Sequence, residues 1–162
     1  MYINVMTNGP NHTTRAELPQ ADPLDHFLCF SVYAAGLAFN RVYKPLLDRY
    51  AVTYPQYLAI VALSSKDGQK VSELGERLFL ESNTLTPLIK RLETAGLVSR
   101  RRDPKDERVV RLSLTPTGRD LADEALQCVP GEILQATGMS SEDLSSLNQT
   151  MIALGSALRE IE

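Results

Sequence analysis

Residues 71 to 115 hold two short helical patterns followed directly by two short β-type runs. The second helical stretch, "NTLTPLIKRLETAG", places Leu85, Leu88, Ile89 and Leu92 on one face. The runs "LVSRRR" and "VVRLSL" are typical of strands, and the polar loop "DPKDER" between them predicts a hairpin. Helix, short break, helix and basic ribbon in this order indicate a winged helix-turn-helix, so the predicted fold class is mainly α with a small β-wing.

Capping residues predict where these two helices begin and end. Ser72 is a suitable N-cap for the first helix, and Gly96 is placed to end the second in a left-handed cap. The start of the second helix stays open, because Pro87 lacks an N–H and is tolerated best in a first turn. Thr84 as N-cap puts Pro87 in that first turn, whereas Ser82 as N-cap puts it deeper.

A long helix is predicted ahead of this segment. Asp22 is a suitable N-cap, and the helical pattern runs to about Tyr50, with Pro45 as an expected kink or break. A second helix restarts after Thr53 and ends at the turn "KDGQ". Residues 1 to 20 lack the apolar core of a signal peptide and are expected to form a loose tail.

Two further helices are predicted after the ribbon. The stretch "TPTG" opens one at about residue 116, and Pro130 with Gly131 is expected to interrupt it. Ser140 and Asp143 form a capping box for the last helix. Apolar residues then follow alternating steps of three and four, as in a coiled-coil seam: Leu144, Leu147, Met151, Leu154, Leu158 and Ile161. This seam could pack on its own subunit, but together with the long first helix it favours subunit pairing.

These patterns predict four parts in the chain. Residues 1–21 are a flexible N-terminal tail, and residues 22–50 are a dimerisation and sensor helix. Residues 51–115 form the winged helix-turn-helix, and residues 116–162 form the C-terminal dimerisation helices.

The charge of the chain is unevenly distributed. The net charge is −3, yet residues 90–119 hold nine Lys and Arg against four Asp and Glu, a surplus of +5 that leaves −8 for the rest. A local basic block on an acidic body is typical of an electrostatic footprint for DNA.

The composition argues against several other classes of protein. Two cysteines are too few for a disulfide scaffold, and no Cys/His spacing suggests zinc, so neither a metal nor a cofactor is expected. With two histidines and no evident pair of acid–base carboxylates, the chain is not expected to be an enzyme. No apolar run approaches the ~20 residues that a membrane helix needs, so we expect a cytoplasmic protein.

The predicted winged motif carries polar and basic side chains where they can meet DNA. Opposite its leucine stripe the second helix exposes Asn83, Thr84, Thr86, Lys90 and Arg91. Short hydroxyl and amide side chains near a helix N-terminus can reach base edges in the major groove. The ribbon carries the basic residues Arg100, Arg101, Arg102, Lys105, Arg108 and Arg111. Either feature alone is more often a solvated surface, but the two in series favour DNA binding.

The stretch "VSELGERLFLESNTLTPLIKRLETAGLVSRRRDPKDERVVRLSLTPTG" closely resembles the MarR family of bacterial winged-helix repressors. With "LCFSVYAAGLAFNRVYKPLL" and "VTYPQYLAIVAL" added, the chain is most similar to the organic-hydroperoxide-sensing branch of that family, the OhrR type. The resemblance covers roughly residues 24 to 125. It implies a homodimer whose two winged motifs bind successive major grooves of a pseudo-palindromic double-stranded operator.

The resemblance also implies roles for individual residues. Arg108, from "DER", corresponds to the residue at the wing tip that enters the minor groove, and Arg101 belongs to the same basic ribbon. Lys90 and Arg91 are expected to contact phosphates, which position the protein without specifying sequence. The expected readers of the major groove are Ser82, Asn83, Thr84 and Thr86.

The stretch "HFLCFSVY" sets Cys29 among aromatic and aliphatic residues. From these residues alone, Cys29 is expected to be inert packing, because free cysteine is among the most buried residue types. A reactive role needs donors that favour the thiolate, since only the thiolate attacks a peroxide. In the OhrR type, tyrosines hydrogen-bond the reactive sulfur, and Tyr43 and Tyr54 match their positions. Tyr33 matches a tyrosine that the family brings in on oxidation, in some members from the partner subunit.

The resemblance implies a redox mechanism. The reduced dimer binds its operator, an organic hydroperoxide oxidises Cys29 to sulfenic acid, and the rearranged dimer releases DNA, so that a peroxide-detoxification gene is transcribed. Cys128 lies in the region where two-cysteine members carry a resolving cysteine, which forms a disulfide with the sensor of the other subunit. The alternative is that Cys128 is packing and a small thiol caps Cys29.

Three other functions remain possible from the sequence. A MarR-type repressor released by a small aromatic ligand would leave Cys29 structural. A thiol peroxidase would use Cys29 as its nucleophile, but the strand-and-helix alternation of such folds and a CxxC motif are both absent from the sequence. A purely structural dimer module would not need the basic ribbon.

Overall fold

The computed structural model of the chain describes residues 23–161, which divide into two units with a boundary after Leu37. One turn of 3-10 helix, Pro23–His26, comes first. The elements that follow are α1 (Leu28–Asp48), α2 (Tyr54–Ser65), β1 (Gln69–Lys70), α3 (Val71–Leu78), α4 (Ser82–Thr94), β2 (Val98–Arg102), β3 (Val110–Leu114), α5 (Pro116–Thr137) and α6 (Ser141–Arg159). The predicted fold class, mainly helical with a small β-wing, is confirmed. Within the described residues, no helix has the length and apolar character needed to cross a membrane.

The hydrophobic core lies in the second unit, where the helical stripes meet the sheet. The four apolar residues predicted on one face of α4 are all buried there. Among the most fully enclosed side chains are Leu47 of α1, Ile60 and Leu63 of α2, Leu74 of α3, Val98 of β2, Leu112 of β3 and Val129 of α5. The short helices therefore owe their stability to this shared core rather than to their own helical propensity.

A three-stranded antiparallel sheet completes the winged motif. Its strand order is β1-β3-β2, with Val98 opposite Leu114 and Gln69 opposite Leu112. The β2–β3 hairpin was predicted, whereas β1 is too short to leave a strand pattern in the sequence. Gln69 is 2% exposed, and its side-chain amide donates to the carbonyl of Ala62 at 2.8 Å, which satisfies a buried polar group.

The two helices of the helix-turn-helix begin earlier than their expected caps. The prediction of Ser72 as the N-cap of α3 is wrong, because Lys70 holds that position and its N–H donates to Glu73 at 3.1 Å. For α4 the residue before the helix is Glu81, so neither of the two open alternatives is the cap. Pro87 therefore lies inside α4. The predicted left-handed end is confirmed at Gly96, whose φ is +73°.

The expected interruption at Pro130 is wrong, and α1 does not break at Pro45. Helix α1 continues through Pro45, and α5 continues through Pro130 to Thr137. An internal proline removes one backbone hydrogen bond and destabilises a helix by about 3 kcal/mol. In α5 the residues on either side, Val129 and Ile133, are buried in the core, and this tertiary packing outweighs the local cost. The expected first cap, Asp22, lies outside the described residues.

The predicted start of α2 after Thr53 and the predicted cap of α6 are both confirmed. The backbone N–H of Thr53 donates to the side chain of Gln56 at 2.8 Å at the start of α2. The hydroxyl of Ser140 accepts from the N–H of Asp143 at 3.1 Å at the start of α6. Helix α6 has no buried side chain among the described residues, so its apolar seam is left open to solvent in the single subunit.

Candidate nucleic-acid interface and reactive cysteine

Helix α4 presents one polar face to solvent, opposite its buried stripe. The side chains that were expected to contact DNA from this helix are all exposed: Ser82, Asn83, Thr84, Thr86, Lys90 and Arg91. The first four belong to the first turn and a half, where free backbone N–H groups and the helix dipole favour an anionic neighbour. The two cations lie further along the same exposed side. The face can therefore offer short hydrogen-bonding groups to base edges and longer cations to phosphates.

A hydrogen bond orders two of these side chains. The hydroxyl of Thr84 donates to the side-chain oxygen of Asn83 at 3.1 Å. The Asn83 amide keeps both of its N–H donors, and the Thr84 hydroxyl keeps its acceptor lone pairs. A pair that presents donors and acceptors side by side suits the edge of a base pair.

A buried aspartate organises the loop between β2 and β3. Asp103 is 7% exposed, and its carboxylate accepts from the N–H of Lys105 at 2.8 Å and from Nε of Arg111 at 2.5 Å. These two interactions, the backbone one first, hold the pKa of Asp103 below its ordinary value. Arg111 also donates to the carbonyl of Gly68 at 2.9 Å, on the turn after α2. Arg111 was expected among the DNA-facing basic residues; instead, it fixes the wing to the body of the domain.

The tip of the wing is a tight turn that leaves its arginine free to reach outward. Asp106 accepts from the N–H of Arg108 at 3.0 Å through its side chain and from the N–H of Val109 at 2.9 Å through its carbonyl. The side chains of Arg101 and Arg108 are both exposed. Arg100 lies 3.8 Å from Glu93 of α4, so part of the positive charge on the ribbon is balanced within the subunit.

A second aspartate anchors the base of the wing. Asp67 accepts from the N–H of Leu114 at 3.2 Å and pairs with Arg119 at the start of α5. Burial alone would raise the pKa of Asp67, but the hydrogen bonds from Arg119 and Leu114 hold it below its ordinary value. Sequence patterns did not identify Asp67 and Asp103 as residues that organise the wing. The partners of Asp67, Leu114 and Arg119, lie 47 and 52 residues further along the chain, so no local pattern indicates these pairings. Asp103 binds Lys105 and Arg111 within its own hairpin, where the sequence shows only a charged loop.

Cys29 and Tyr33 lie on α1 within the first unit, and both side chains are exposed. The rings of Phe30 and Tyr33 are 6.5 Å apart. Cys29 was expected to be buried among its apolar neighbours in the sequence, yet three of these, Phe27, Phe30 and Val32, are themselves exposed in the single subunit. The thiol is therefore accessible from solvent in the isolated chain, which oxidation by a small molecule requires.

Two of the three predicted tyrosines are in contact with each other in the second unit. The ring centroids of Tyr43 and Tyr54 are 4.5 Å apart, and Tyr57 lies 6.2 Å from Tyr43. Burial, followed by the charges that Tyr54 and Tyr57 carry when ionised, raises the pKa of Tyr43 to about 12. Burial also raises the pKa values of Tyr54 and Tyr57. These phenols stay protonated at neutral pH, so they can act as hydrogen-bond donors.

Cys128 is exposed on α5, close to the end of α1. One turn further along α5, Glu132 accepts from Arg49 at 2.5 Å. Burial raises the pKa of Tyr50, and the negative charges of Glu124 and of an ionised Cys128 raise it further. Cys128 is thus an accessible thiol on α5, one turn before the residue that pairs with Arg49.

Comparisons with known proteins give relatives along most of the chain. A family model described as transcriptional regulator SarA/Rot matches residues 41–125. The HTH-type transcriptional regulator TtmR of Methylorubrum extorquens is 43% identical over 148 residues, which are 90% of this chain and 75% of that protein. The organic hydroperoxide resistance transcriptional regulator of Bacillus subtilis is 42% identical over 137 residues, which are 85% of this chain and 92% of that protein.

Solved structures of one further regulator match the fold. The structure of reduced AbfR bound to DNA is 31% identical, with a TM-score of 0.69, and covers 83% of this chain and 91% of the AbfR chain. AbfR, from Staphylococcus epidermidis, has also been solved in a disulfide-formed state and in an overoxidised state bound to DNA. These relatives are regulators rather than enzymes. The helix-turn-helix, the wing and the extent of these matches show that the chain belongs to the MarR/SarA family of winged-helix transcriptional regulators.

Proposed function

We propose that the chain is a DNA-binding transcriptional repressor that senses organic hydroperoxides through Cys29 and leaves its operator when Cys29 is oxidised. The observation that carries the proposal is the exposed polar face of α4 beside an arginine-rich wing, in a chain that has Cys29, Tyr43 and Tyr54 at the spacing of the OhrR type. The 42% identity to a regulator of organic hydroperoxide resistance supports the same effector. The repressor acts in the cytoplasm, where its operator DNA lies.

In the proposed DNA interface, side chains of different length have different roles. Asn83, Thr84 and Thr86, with Ser82 at the helix start, read base edges in the major groove. Lys90 and Arg91 neutralise phosphates, which adds affinity and salt dependence but little sequence preference. Arg101 and Arg108 bring the wing to the narrow, negative minor groove.

A homodimer is proposed as the DNA-binding form. Exposed apolar side chains are concentrated on the first half of α1, with Leu28, Tyr33 and Leu37, and on α6, with Ile152 and Leu158. Contiguous apolar patches on a soluble subunit mark protein interfaces. A second copy of the chain covers both patches, and its two-fold symmetry matches a pseudo-palindromic operator.

The proposed sensor site needs both subunits. Cys29 and Tyr43 lie fourteen residues apart on α1. A regular α-helix rises about 1.5 Å per residue, so residues that far apart on one helix are separated by about 21 Å, beyond hydrogen-bond reach. The Tyr43–Tyr54 pair is therefore proposed to donate to the Cys29 sulfur of the partner subunit, and dimerisation itself completes the site.

The chemistry begins with the thiolate of Cys29. It attacks one oxygen of the hydroperoxide, an S–O bond forms, the O–O bond breaks, and the leaving alkoxide takes up a proton as an alcohol. The sulfur is thereby oxidised by two electrons to sulfenic acid. A second thiol then attacks the sulfenic acid, a disulfide forms and water leaves. That second thiol is either Cys128 of the partner subunit or a small cellular thiol.

The test is operator binding measured by fluorescence anisotropy while an organic hydroperoxide is titrated in. The DNA is the intergenic segment beside the gene for this protein. Wild type is expected to release DNA and to bind again after a thiol reductant is added, whereas Cys29→Ser is expected to stay bound. The variant Cys128→Ser distinguishes the two candidate resolving thiols. If this variant releases DNA only when a small thiol is present, Cys128 is the thiol that forms the disulfide with Cys29 in wild type.

The rival repressor with a small aromatic ligand predicts a different result. In that case peroxide leaves both wild type and Cys29→Ser on the DNA, and an aromatic acid releases both alike. A cavity of about 280 Å³ lined by residues including Lys44, Thr53 and Tyr54 is the place to look for such a ligand. Equal release of both proteins by peroxide would also contradict the role of Cys29.

A further inference from the structure

Phe79 occupies a backbone conformation that its side chain disfavours. It ends α3 in the left-handed region, with φ 54° and ψ 40°, where glycine is the usual residue. The N–H of Leu80 donates to the carbonyl of Gly75 at 3.0 Å, which closes the turn around it. The result is a ring that is 70% exposed, although its neighbours Leu78 and Leu80 pack against the core. A large apolar side chain in a strained, exposed position needs a reason other than packing.

The side chain that stacks on this ring belongs to the last helix of the chain. The guanidinium carbon of Arg159, in the last turn of α6, lies 4.3 Å from the centre of the Phe79 ring. This is well within the ~6 Å range of a cation–π interaction. Arg159 is held by a donation to the hydroxyl of Ser156 at 3.2 Å. A Cβ at Gly155 would lie 3.3 Å from the same guanidinium, so a glycine leaves room for this rotamer.

The α3–α4 turn carries any displacement of Phe79 to α4. Phe79 precedes the first residue of α4, Ser82, by three positions. The turn is tightly packed, since a Cβ at Gly75 would meet the carbonyl of Leu80 at 3.1 Å and the side chain of Leu85 at 3.2 Å. A closely packed turn of this kind transmits a shift rather than absorbing it. The end of α6 and the start of the proposed reading helix are therefore joined through one stacked pair.

We infer that Arg159 is a positioning residue, which stacks on Phe79 to tie the end of α6 to the α3–α4 turn and so fixes α4 in the orientation that binds operator DNA. The inference rests on the proposed function, because it assigns α4 to DNA reading. Helix α6 has no buried side chain among the described residues. Its position relative to the winged motif therefore depends on surface contacts such as this pair, and a change at α6 can reach the DNA-binding surface through it.

The test is a double-mutant cycle in operator affinity, measured over a range of salt concentrations. Arg159→Gln and Phe79→Gly are each expected to weaken operator binding by roughly 5- to 30-fold for a dimer that loses two exposed cation–π contacts. The double variant is expected to bind no more weakly than either single variant, because both changes remove the same contact. Phe79→Tyr, which keeps an aromatic face, is the matched control and should bind like wild type. Phe79→Gly should also be at least as stable as wild type, because glycine relieves the left-handed strain.

Three results would overturn the inference. Unchanged affinity in both single variants would show that the pair positions nothing. Losses that multiply in the double variant would show that the two residues act separately. A decrease of about one per subunit in the slope of log affinity against log salt concentration for Arg159→Gln would show instead that Arg159 contacts a phosphate directly.

Hydrogen exchange on the free protein gives a readout that does not depend on DNA. Arg159→Gln should speed the exchange of backbone amides in residues 79–84 and leave those of α5 unchanged. Equal exchange in wild type and variant would contradict the inference. A wild-type protein that shows this coupling but fails to bind its intergenic DNA would instead count against the proposed function.

Discussion

Gly118 joins the wing to α5 at a point where no side chain fits. It lies in the first turn of α5, and a Cβ there would be 2.0 Å from the carbonyl oxygen of Leu97. That oxygen also accepts from the N–H of Thr115 at 3.0 Å, and the Thr115 hydroxyl caps the helix through the N–H of Gly118 at 3.0 Å. This close approach brings together the start of β2, the end of β3 and the start of α5. It therefore fixes the orientation of the wing relative to the core.

We predict that Gly118→Ala lowers the free energy of unfolding by about 1–3 kcal/mol, because backbone must move to admit the methyl group. The matched control is Gly131→Ala in the same helix, where a Cβ would meet nothing within 4 Å. Alanine there should raise the free energy of unfolding by roughly 0.5–1 kcal/mol through helix propensity. Urea unfolding of the three proteins measures both changes, and equal stability of the two variants would contradict this account.

The Tyr43 phenol gives a second prediction for a single residue, in alkaline solution. Its pKa is raised to about 12, so the folded state binds the phenolic proton more tightly than the unfolded chain, whose tyrosine titrates near the ordinary value of about 10. Stability from this group is fully present below pH ~10 and is lost as the pH rises to about 12. Tyr43→Phe should flatten that decline. In a titration followed by phenolate absorbance, the variant should lack one tyrosine that ionises at high pH in wild type. An unchanged titration curve would contradict the raised pKa of Tyr43.

At the scale of elements, α4 and the wing could be predicted because their signals are local. Helical spacing of four apolar residues identified the buried face of α4, and the charges of the β2–β3 loop identified the wing. Three features could not be predicted from local patterns. β1 is two residues long, Pro130 is tolerated because Val129 and Ile133 are packed in the core, and Arg111 turns inward because a distant glycine carbonyl accepts from it. All three depend on tertiary neighbours.

The residues of the candidate site also differ in whether local sequence patterns could predict them. The exposed positions on α4 follow from its helical period, so the sequence was enough to find them. The tyrosine positions came from the resemblance, and the sequence alone left Tyr43 and Tyr54 indistinguishable from core tyrosines. Their ring contact at 4.5 Å depends on how α1 packs against α2 within the second unit.

For α4 we predict that two substitutions affect operator binding in different ways. Thr86→Ala should cost about 1–3 kcal/mol at the operator and far less on unrelated DNA, because a base contact carries sequence preference. Lys90→Ala should weaken binding to both DNAs and lower the salt slope by about one for each subunit, because it removes a phosphate contact. Anisotropy titrations with both DNAs at several salt concentrations measure this, and matching profiles for the two variants would contradict the proposed division of roles.

At the scale of the whole molecule, charge and apolar surface lie on different parts of the chain. The basic surplus falls within residues 90–119, on α4 and the wing, whereas most of the exposed large apolar side chains lie on the first half of α1 and on α6. A subunit of this kind can bind an anionic partner at one surface and a second copy of itself at others. Two-fold pairing then doubles the number of phosphate contacts, which is why dimerisation should govern DNA affinity.

The apolar seam of α6 gives the last prediction. Leu147 and Met151 lie on this seam and are 42% and 37% exposed in the single subunit. Leu147→Glu would bury a charge at the proposed interface, so we predict a monomer at micromolar concentration, weaker operator binding and a lower midpoint of thermal unfolding. Gln149→Glu is the matched control, because it adds the same charge on the opposite side of α6 and should leave a dimer. Sedimentation velocity measures the assembly directly. A dimeric Leu147→Glu variant would remove α6 from the interface and leave the exposed apolar side chains of α1 as the surface on which the subunits pair.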